Sequence, residues 1–464
     1  MKFLLVSPPK RGIAGHEENV PIGLGYLATA LRRLGHEADL KDCIIRDWGV
    51  EDLLGYIKES RPDIVGITVY SQALPNVKLI LERIKAHDAK IITIVGGPHP
   101  SAVPQLALNY LDKADYGVNG EGEIPLSHLM PILDTGKGKL KDVPGLIWRE
   151  GGRVSWNDKV EFEDLDSLGF PAWDLIEPPR YFSSPDYKGK TCAIHTSRGC
   201  PYGCGFCVKL GRKLRFHSIE KVYDQMKLLN EKYGVVHFII GDEGFPINKD
   251  RLKDFCRYVI QKNDNFSYFA ACGLRLNAVD DEMCELMIKA NFMRRVGIGV
   301  EAGSQRVRNL MNKNLPEGTI FRGVEILNRH GIRPSANFIL GYPGETKQEM
   351  EETIKMALKL KIGGACFAPF IPLPGTAATN RLIEEGKLPA DFDYSQIDLD
   401  RVLYAPEGMT KRQLDDMRRK AVFLFNIQPR MVWYHVTGGR LLWTIIKVMR
   451  IFFPQKLVPK KWRR

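Results

Sequence analysis

Short apolar runs alternate with amphipathic helical patterns along most of this chain, and that alternation restricts its architecture more than any other feature. Residues 2–7 (KFLLVS) read as a buried strand, and residues 22–34 as a helix stopped by Gly35. Strand 37–42, helix 50–59, strand 64–69, helix 76–86, strand 91–97 and a short strand near Tyr116 follow. Such alternation implies a parallel sheet covered on both faces, whose ligands sit beyond the carboxyl ends of the strands. Three stretches fall at that edge: TVYSQALPN, VGGPHPS and VNGEGE (residues 118–123). Their glycines let a backbone approach a ligand closely, although plain βα turns use glycine as well. No GxGxxG follows the first strand, which argues against a nicotinamide site.

The alternation breaks over residues 136–190, a stretch rich in Gly, Pro, Asp and Trp that reads as a connector. It resumes at Cys192–Thr196. Strands near 237–241, 267–273, 294–300, 335–341 and 365–371 are separated by helices near 219–233, 249–261, 280–290, 305–330 and 347–360. Six β/α repeats are fewer than the eight of a closed barrel, so residues 191–375 are expected to form a partial parallel barrel, a (β/α)6 unit. The fold class is therefore α/β: a doubly wound, Rossmann-like domain (1–135), a linker (136–190), the partial barrel (191–375) and a helical C-terminal region (376–464).

The first barrel strand runs into TSRGCPYGCGFCVKL, where Cys200, Cys204 and Cys207 are separated by three and then two residues. Nine cysteines in 464 residues, with no apolar leader beyond four residues before Ser7, are expected to be reduced thiols or metal ligands in a cytoplasmic protein. Structural zinc and most iron–sulfur clusters take four protein ligands. Three thiolates on a four-iron cluster leave one iron open to another ligand. A zinc knuckle and a chance cluster are the alternatives, with His195 and His217 the nearest further ligands.

The CxxxCxxC spacing after a first barrel strand, with an aromatic at Phe206, resembles the signature of the radical SAM superfamily. The resemblance extends over roughly residues 190–375. It implies a [4Fe-4S] cluster whose open iron is chelated by S-adenosyl-L-methionine, which is then cleaved to a 5′-deoxyadenosyl radical. Gly241-Asp242-Glu243 is similar to the family's GGE, with Asp in place of the middle Gly, and would hold the methionine amino group. GIGVEAGSQ is similar to the strand that contacts the ribose and carboxylate, which points to Glu301 and Ser304. Arg275 is a candidate for the carboxylate, and Gly341, opening GYPGE, for the adenine. A doubly wound domain before such a barrel resembles the cobalamin-binding subclass, and PIGLGYLATALRRLGHE, VGGPHPS and NGEGE are typical of it. The resemblance assigns cobalamin contacts to Tyr70, Ser71, Gly96, Gly97, Pro98, His99, Gly120 and Glu121. DxHxxG is absent, which implies that no protein histidine binds the cobalt and leaves Tyr70 as the candidate for its lower face.

Cobalamin beside such a radical implies methylation of an unactivated carbon. Ring closure, ring contraction or oxidation without net methyl transfer is the alternative. A tRNA methylthiotransferase would need three N-terminal cysteines, and only Cys43 precedes Cys192. A non-catalytic cobalamin sensor would not need the cysteine loop. The expected partners are a small-molecule, lipid or peptide substrate and a low-potential donor such as ferredoxin or flavodoxin. Nucleic acid is not expected. Residues 440–464 contribute eight of the net +12 charges and contain no acid. This basic amphipathic segment is expected either to lie in a membrane surface or to pack on the barrel, being too short and too charged to span a bilayer.

Overall fold

A computed structural model of the chain describes residues 1–9, 20–181, 189–271, 273–398 and 401–437. The expected behaviour of residues 440–464 lies outside these. The first unit runs β1 (Lys2–Ser7), α1 (Ile22–Arg33), β2 (Glu37–Asp42), α2 (Val50–Ser60), β3 (Ile64–Thr68), α3 (Leu74–His87), β4 (Ile92–Gly96), α4 (Pro98–Ala102), α5 (Pro104–Tyr110), β5 (Tyr116–Val118) and α6 (Glu123–Thr135). A hairpin, β6 (Leu146–Glu150) and β7 (Arg153–Trp156), continues it. The sheet order is β2-β1-β3-β4-β5-β6-β7, with the first five strands parallel and the hairpin antiparallel. The strand order therefore reverses between β1 and β3, and the crevice of a doubly wound sheet opens above that point.

The hairpin corrects the expectation of a linker over 136–190. Gly151 and Gly152 between its strands, in a stretch rich in Gly, Pro and Asp, mask a strand signal that only pairing with β5 makes evident: Gly117 stands opposite Ile147 and Val118 opposite Leu146. Residues 165–181, with α7 (Trp173–Ile176), lie along α1 rather than bridging open space. The Ala172 amide donates to Gly25 O (3.0 Å) and Thr29 Oγ1 to Phe170 O (2.7 Å).

The second unit runs β8 (Lys190–Ile194), β9 (Ser197–Arg198), β10 (Arg215–Phe216), α8 (Ile219–Tyr233), β11 (Val235–Ile240), α9 (Lys249–Lys262), β12 (Ser267–Ala270), α10 (Asp281–Lys289), β13 (Arg295–Glu301), α11 (Gln305–Leu310), α12 (Glu317–Arg329), β14 (Arg333–Leu340), α13 (Lys347–Lys359) and β15 (Gly364–Pro369). Local chemistry fixes the helix ends. The Ser218 and Asn248 side chains accept from the Lys221 and Arg251 amides, Gly234 terminates α8 in the left-handed region, and Thr346 with Glu349 boxes the start of α13. Strands β8, β11 and β12 form one parallel set, β13, β14 and β15 another. They join where the Leu274 amide donates to Gly297 O at 2.7 Å. Gly273, at φ +80°, allows that approach, since a Cβ there would stand 3.1 Å from Gly297 O. The result is an open, six-stranded parallel barrel. Helices α14 (Ala377–Glu384), α15 (Lys411–Asn426) and α16 (Pro429–Thr437) follow, and α15 covers the β15 edge by setting Phe425 against Phe367.

The two units share their core. One apolar cluster joins Phe3, Leu5 and Ile22 to Ile194, Phe238 and Ile298. Another joins Val6, Val69 and Leu81 to Ala302, Met311 and Phe370. Steric room within this framework predicts opposite outcomes for two glycines. A Cβ at Gly303 would stand 2.5 Å from the Thr353 amide nitrogen and 2.6 Å from Glu352 O, so Gly303→Ala should destabilise by about 2 kcal/mol. Gly55, inside α2 with nothing near its Cβ position, should stabilise by about 0.5–1 kcal/mol as Gly55→Ala. Chemical denaturation of the two variants checks the signs.

Candidate functional site

The cysteine loop stands on two feet. Strands β9 and β10 pair antiparallel, Arg198 opposite Arg215 and Ser197 opposite Phe216, and close its base. Gly199, at φ +84°, begins it, and any Cβ there would collide with Lys213 O. Above the base the loop is pinned from four directions. The Gly205 amide donates to Met311 O (2.9 Å) and Asn312 Nδ2 to Gly203 O (2.9 Å). The Ala378 amide donates to Gly205 O (2.9 Å), and the Arg275 guanidinium stacks 3.3 Å over the Tyr202 ring. Cys200 and Cys204 are half-buried and Cys207 is exposed, all three as free thiols. Although Cys207 keeps contact with solvent, enough protein surrounds its sulfur for desolvation to act on it. Burial pushes its thiol up to about 11, against Lys209 and with Cys204 and Cys200 adding.

This donor set suits a polynuclear iron–sulfur group. Among the described residues no three His, Cys, Asp or Glu side chains converge on a single ion position. Thiolates of a four-iron cluster need not converge, because each takes a different iron.

The Gly241-Asp242-Glu243 triplet ends β11 beside this loop. Glu243 reaches the solvent-lined wall of the junction. Burial raises its carboxyl to about 7, with Glu121 of the first unit adding and Lys209 and Arg215 opposing. The Asp242 carboxylate is buried and accepts from the Thr196 amide (2.6 Å), Thr196 Oγ1 (2.6 Å), the Ser197 amide (3.2 Å) and Ser197 Oγ (2.7 Å). Four donors occupy it, so it fixes the turn that feeds the cysteine loop. The Gly241 amide likewise donates to Ile194 O at 2.9 Å.

Besides Tyr202, Arg275 reaches Lys313 O through Nη2 at 3.4 Å, and its Nε is buried without a protein acceptor. Glu301 is buried in the left-handed region at φ +68°, where a non-glycine residue is strained, with Oε1 2.8 Å from Lys313 Nζ. Two other expected residues have partners within the chain. Ser304 donates to Glu349 Oε1 (3.0 Å) and caps α11, while Gly341 packs under Leu414 of α15 and gives its amide to Glu345 Oε2 (2.7 Å). Both hold loops behind the mouth. Phe206 is partly buried against the apolar cluster that links the two units.

At the first sheet, the loops after β3 and β4 bring Tyr70, Ser71, Gly96, Gly97, Pro98 and His99 together. Tyr70 is 41% exposed above the crevice, large and flat enough to meet a planar macrocycle. Gly97, at φ +100°, lies so close to Thr68 and Val69 that a Cβ would be 2.7 Å from Thr68 Oγ1, which keeps this rim thin. Pro98 starts α4. His99 is buried, with Nδ1 2.9 Å from Ser71 Oγ and its ring edge-on to Tyr394. Burial lowers its pKa to about 4, so it is neutral. The rim therefore fits a corrin held without that imidazole's Nδ1.

Gly120 and Glu121 are engaged within the chain. The Gly120 amide donates to Ser101 Oγ (2.9 Å). Glu121 accepts both guanidinium nitrogens of Arg215 (3.0 and 2.7 Å) and the Phe162 amide (2.8 Å). Arg198 approaches it at 3.5 Å and donates to Glu123 at 2.8 Å, lying over the Tyr26 ring. Tyr26 OH meets His217 Nε2 at 3.1 Å, and His217 Nδ1 meets Asp166 at 3.2 Å. Burial alone would raise the Glu121 carboxyl. Arg215, Arg198 and the Phe162 amide hold it below the usual range. Arg198, Arg215, Glu123 and Tyr26 were not singled out in the sequence, and His217 was weighed there only as a zinc ligand. The signal available was two arginines flanking the loop and a carboxylate pair in NGEGE.

Comparison with known proteins follows the same division. The radical SAM superfamily model matches residues 194–357, and the B12 binding domain model matches residues 15–130. The chain is 29% identical over 439 residues to the uncharacterized methyltransferase PH0819 of Pyrococcus horikoshii, covering 93% of this chain and 94% of that one. It is 27% identical over 405 residues to the anaerobic magnesium-protoporphyrin IX monomethyl ester cyclase of Rubrivivax gelatinosus, covering 85% and 72%. Its fold is like that of the radical S-adenosylmethionine methyltransferase TsrM of Kitasatospora setae, solved with cobalamin and a [4Fe-4S] cluster bound. That TM-score is 0.69 at 21% identity, over 83% of this chain and 78% of the other.

Two measurements test the electrostatics. The Arg215 and Glu121 side chains are 4% and 10% exposed. Glu121→Gln should therefore cost about 3–5 kcal/mol by stranding a buried cation, and Glu121→Gln with Arg215→Met should recover much of it, as read by a double-mutant cycle in denaturant. His99 has a folded pKa of about 4, below its unfolded value of 6.5. Between these the unfolded chain binds more protons, so this contribution is full above pH 7 and falls as the pH drops toward 4. Going from pH 7 to 5 should cost the parent about 2 kcal/mol more than His99→Gln.

Proposed function

Because the chain belongs to the radical SAM enzymes that carry an N-terminal B12-binding domain, we propose that it is a cobalamin-dependent methyltransferase acting on an unactivated carbon. The observation that carries this reading is the convergence of the two units. Arg198 and Arg215 at the base of the thiol loop pair with Glu123 and Glu121 of the loop after β5, and the Gly120 amide of that loop donates to Ser101 of α4, so the thiol loop and the β3–β4 rim flank one junction. When bound, the [4Fe-4S] cluster, S-adenosyl-L-methionine and cobalamin supply hydrogen abstraction and methyl delivery.

In this reading Cys200, Cys204 and Cys207 hold the cluster. Glu243 accepts from the methionine ammonium, whose charge draws its carboxyl back to the ionised form. Arg275 offers its buried Nε to the methionine carboxylate while its face braces Tyr202 between the first two cysteines. Glu301, held by Lys313, presents a fixed acceptor to the ribose. Tyr70 would lie against the corrin, with Ser71 and His99 steadying its loop. Asp242 acts through Thr196 and Ser197 and is a positioning residue. A low-potential donor such as ferredoxin or flavodoxin supplies the electron.

A second reading, ring closure without net methyl transfer, is favoured by the likeness to the cyclase. The products separate them. Anaerobically reconstituted protein with cobalamin, reductant and substrate should form 5′-deoxyadenosine and S-adenosylhomocysteine in nearly equal amounts, with one methyl group gained by the substrate in mass spectrometry. Cys204→Ala should abolish 5′-deoxyadenosine and leave some S-adenosylhomocysteine. Turnover with no S-adenosylhomocysteine at all would leave the cyclase reading.

A further inference from the structure

Helix α15 starts at the barrel mouth, where Leu414 sits against Gly341 at the end of β14. It descends along β15, sets Phe425 against Phe367, and gives way to α16 where Arg430 donates to Leu358 O near the end of α13. The α15–α16 junction is thus at the base of the barrel, opposite the mouth.

At this base the protein-facing side is conventional, with Ala421, Phe425 and Met431 buried. The outward side is not. Phe423, Ile427, Val432, Trp433 and Val436 are 41%, 49%, 42%, 71% and 51% exposed. Eleven large apolar residues are exposed among the described residues, and five fall in this span, so the patch is concentrated rather than scattered. Lys420 lies one turn before Phe423 on the same exposed face, the exposed Asp416 lies a further turn back toward the mouth, and Asp415 is neutralised by Arg418 and Arg419. The chain then continues for 27 residues, of which Arg440–Arg464 contain eight Lys or Arg and no acid. Among the described residues no helix is long and apolar enough to cross a membrane.

We infer that this face docks the protein on an anionic lipid surface, with the barrel mouth directed away from the bilayer. The exposed aromatic and aliphatic side chains enter the headgroup boundary, and the adjoining cations meet lipid phosphates. A second copy of the chain would leave the cationic run without a counter-charge. The inference does not depend on the reaction catalysed.

The test uses the full reconstituted chain and vesicles of phosphatidylcholine, alone or mixed with phosphatidylglycerol, in a sedimentation assay. Binding should be strong only with phosphatidylglycerol and should weaken with salt. Val432→Ser with Trp433→Ser should lower the partition coefficient at least about tenfold and leave S-adenosyl-L-methionine cleavage unchanged. On the unmodified protein, amide hydrogen exchange across residues 423–436 should slow when anionic vesicles are added, which keeps the test intact if the variant fails to fold. Absent binding to anionic vesicles, or equal partition of variant and parent, overturns the inference. So does stronger binding by the variant, the result expected if residues 438–464 cover this face. A dimer that the substitutions dissociate, with no vesicle binding by the parent, also overturns it and makes the face a contact between copies.

Discussion

Arg198 and Arg215 stand at the two feet of the cysteine loop, opposite each other on the β9–β10 ladder, and both are neutralised by carboxylates from the other unit. Two guanidinium groups this close repel each other, and burying them costs several kcal/mol each unless counter-charges and hydrogen bonds repay it. Glu121 and Glu123 repay it from the loop after β5. The base of the thiol loop is therefore complete only when the first sheet is in place. The pairs tie the edge of one sheet to the mouth of the other barrel, and the placement of every site group depends on that junction.

A second layer of constraint lies inside the barrel. Asp242 draws Thr196 and Ser197 together with four hydrogen bonds, and Arg275 presses on Tyr202 from the opposite wall. The loop is thus held at its entry and at its tip by charged groups that do not themselves carry thiols. Glu301 adds stored strain. Its left-handed backbone is tolerated because Lys313 anchors the carboxylate and the β13 register slips between Gly299 and Glu301. Such a site is pre-organised, with its polar groups aimed before any ligand arrives.

Much of the site was legible because its signals are contiguous. Three thiols within one glycine-bearing loop read as a cluster site from spacing alone, and the turns after β3 and β4 read as a rim from their glycines and position. Less legible were the local duties of residues within short motifs. Asp242, Ser304 and Gly341 each lie in a stretch resembling a ligand-facing one, and each also serves a turn, a helix cap or a packed helix. Glu121, which the resemblance assigns to cobalamin, bridges the units. Nothing in a sequence says which way a short polar side chain turns when several donors compete for it.

The chain's own residues determined the alternation of strands and helices, the two α/β units, the count of six barrel strands and the location of the thiols. These follow from periods of two and 3.6 residues and from the spacing within single loops, all of them local. Tertiary structure alone decided that β6 and β7 extend the first sheet and that Arg198 and Arg215 meet Glu123 and Glu121 across 75 and 94 residues. The physical reason is that a buried charge chooses its partner by what packing brings within about 3 Å, and sequence separation carries no such distance.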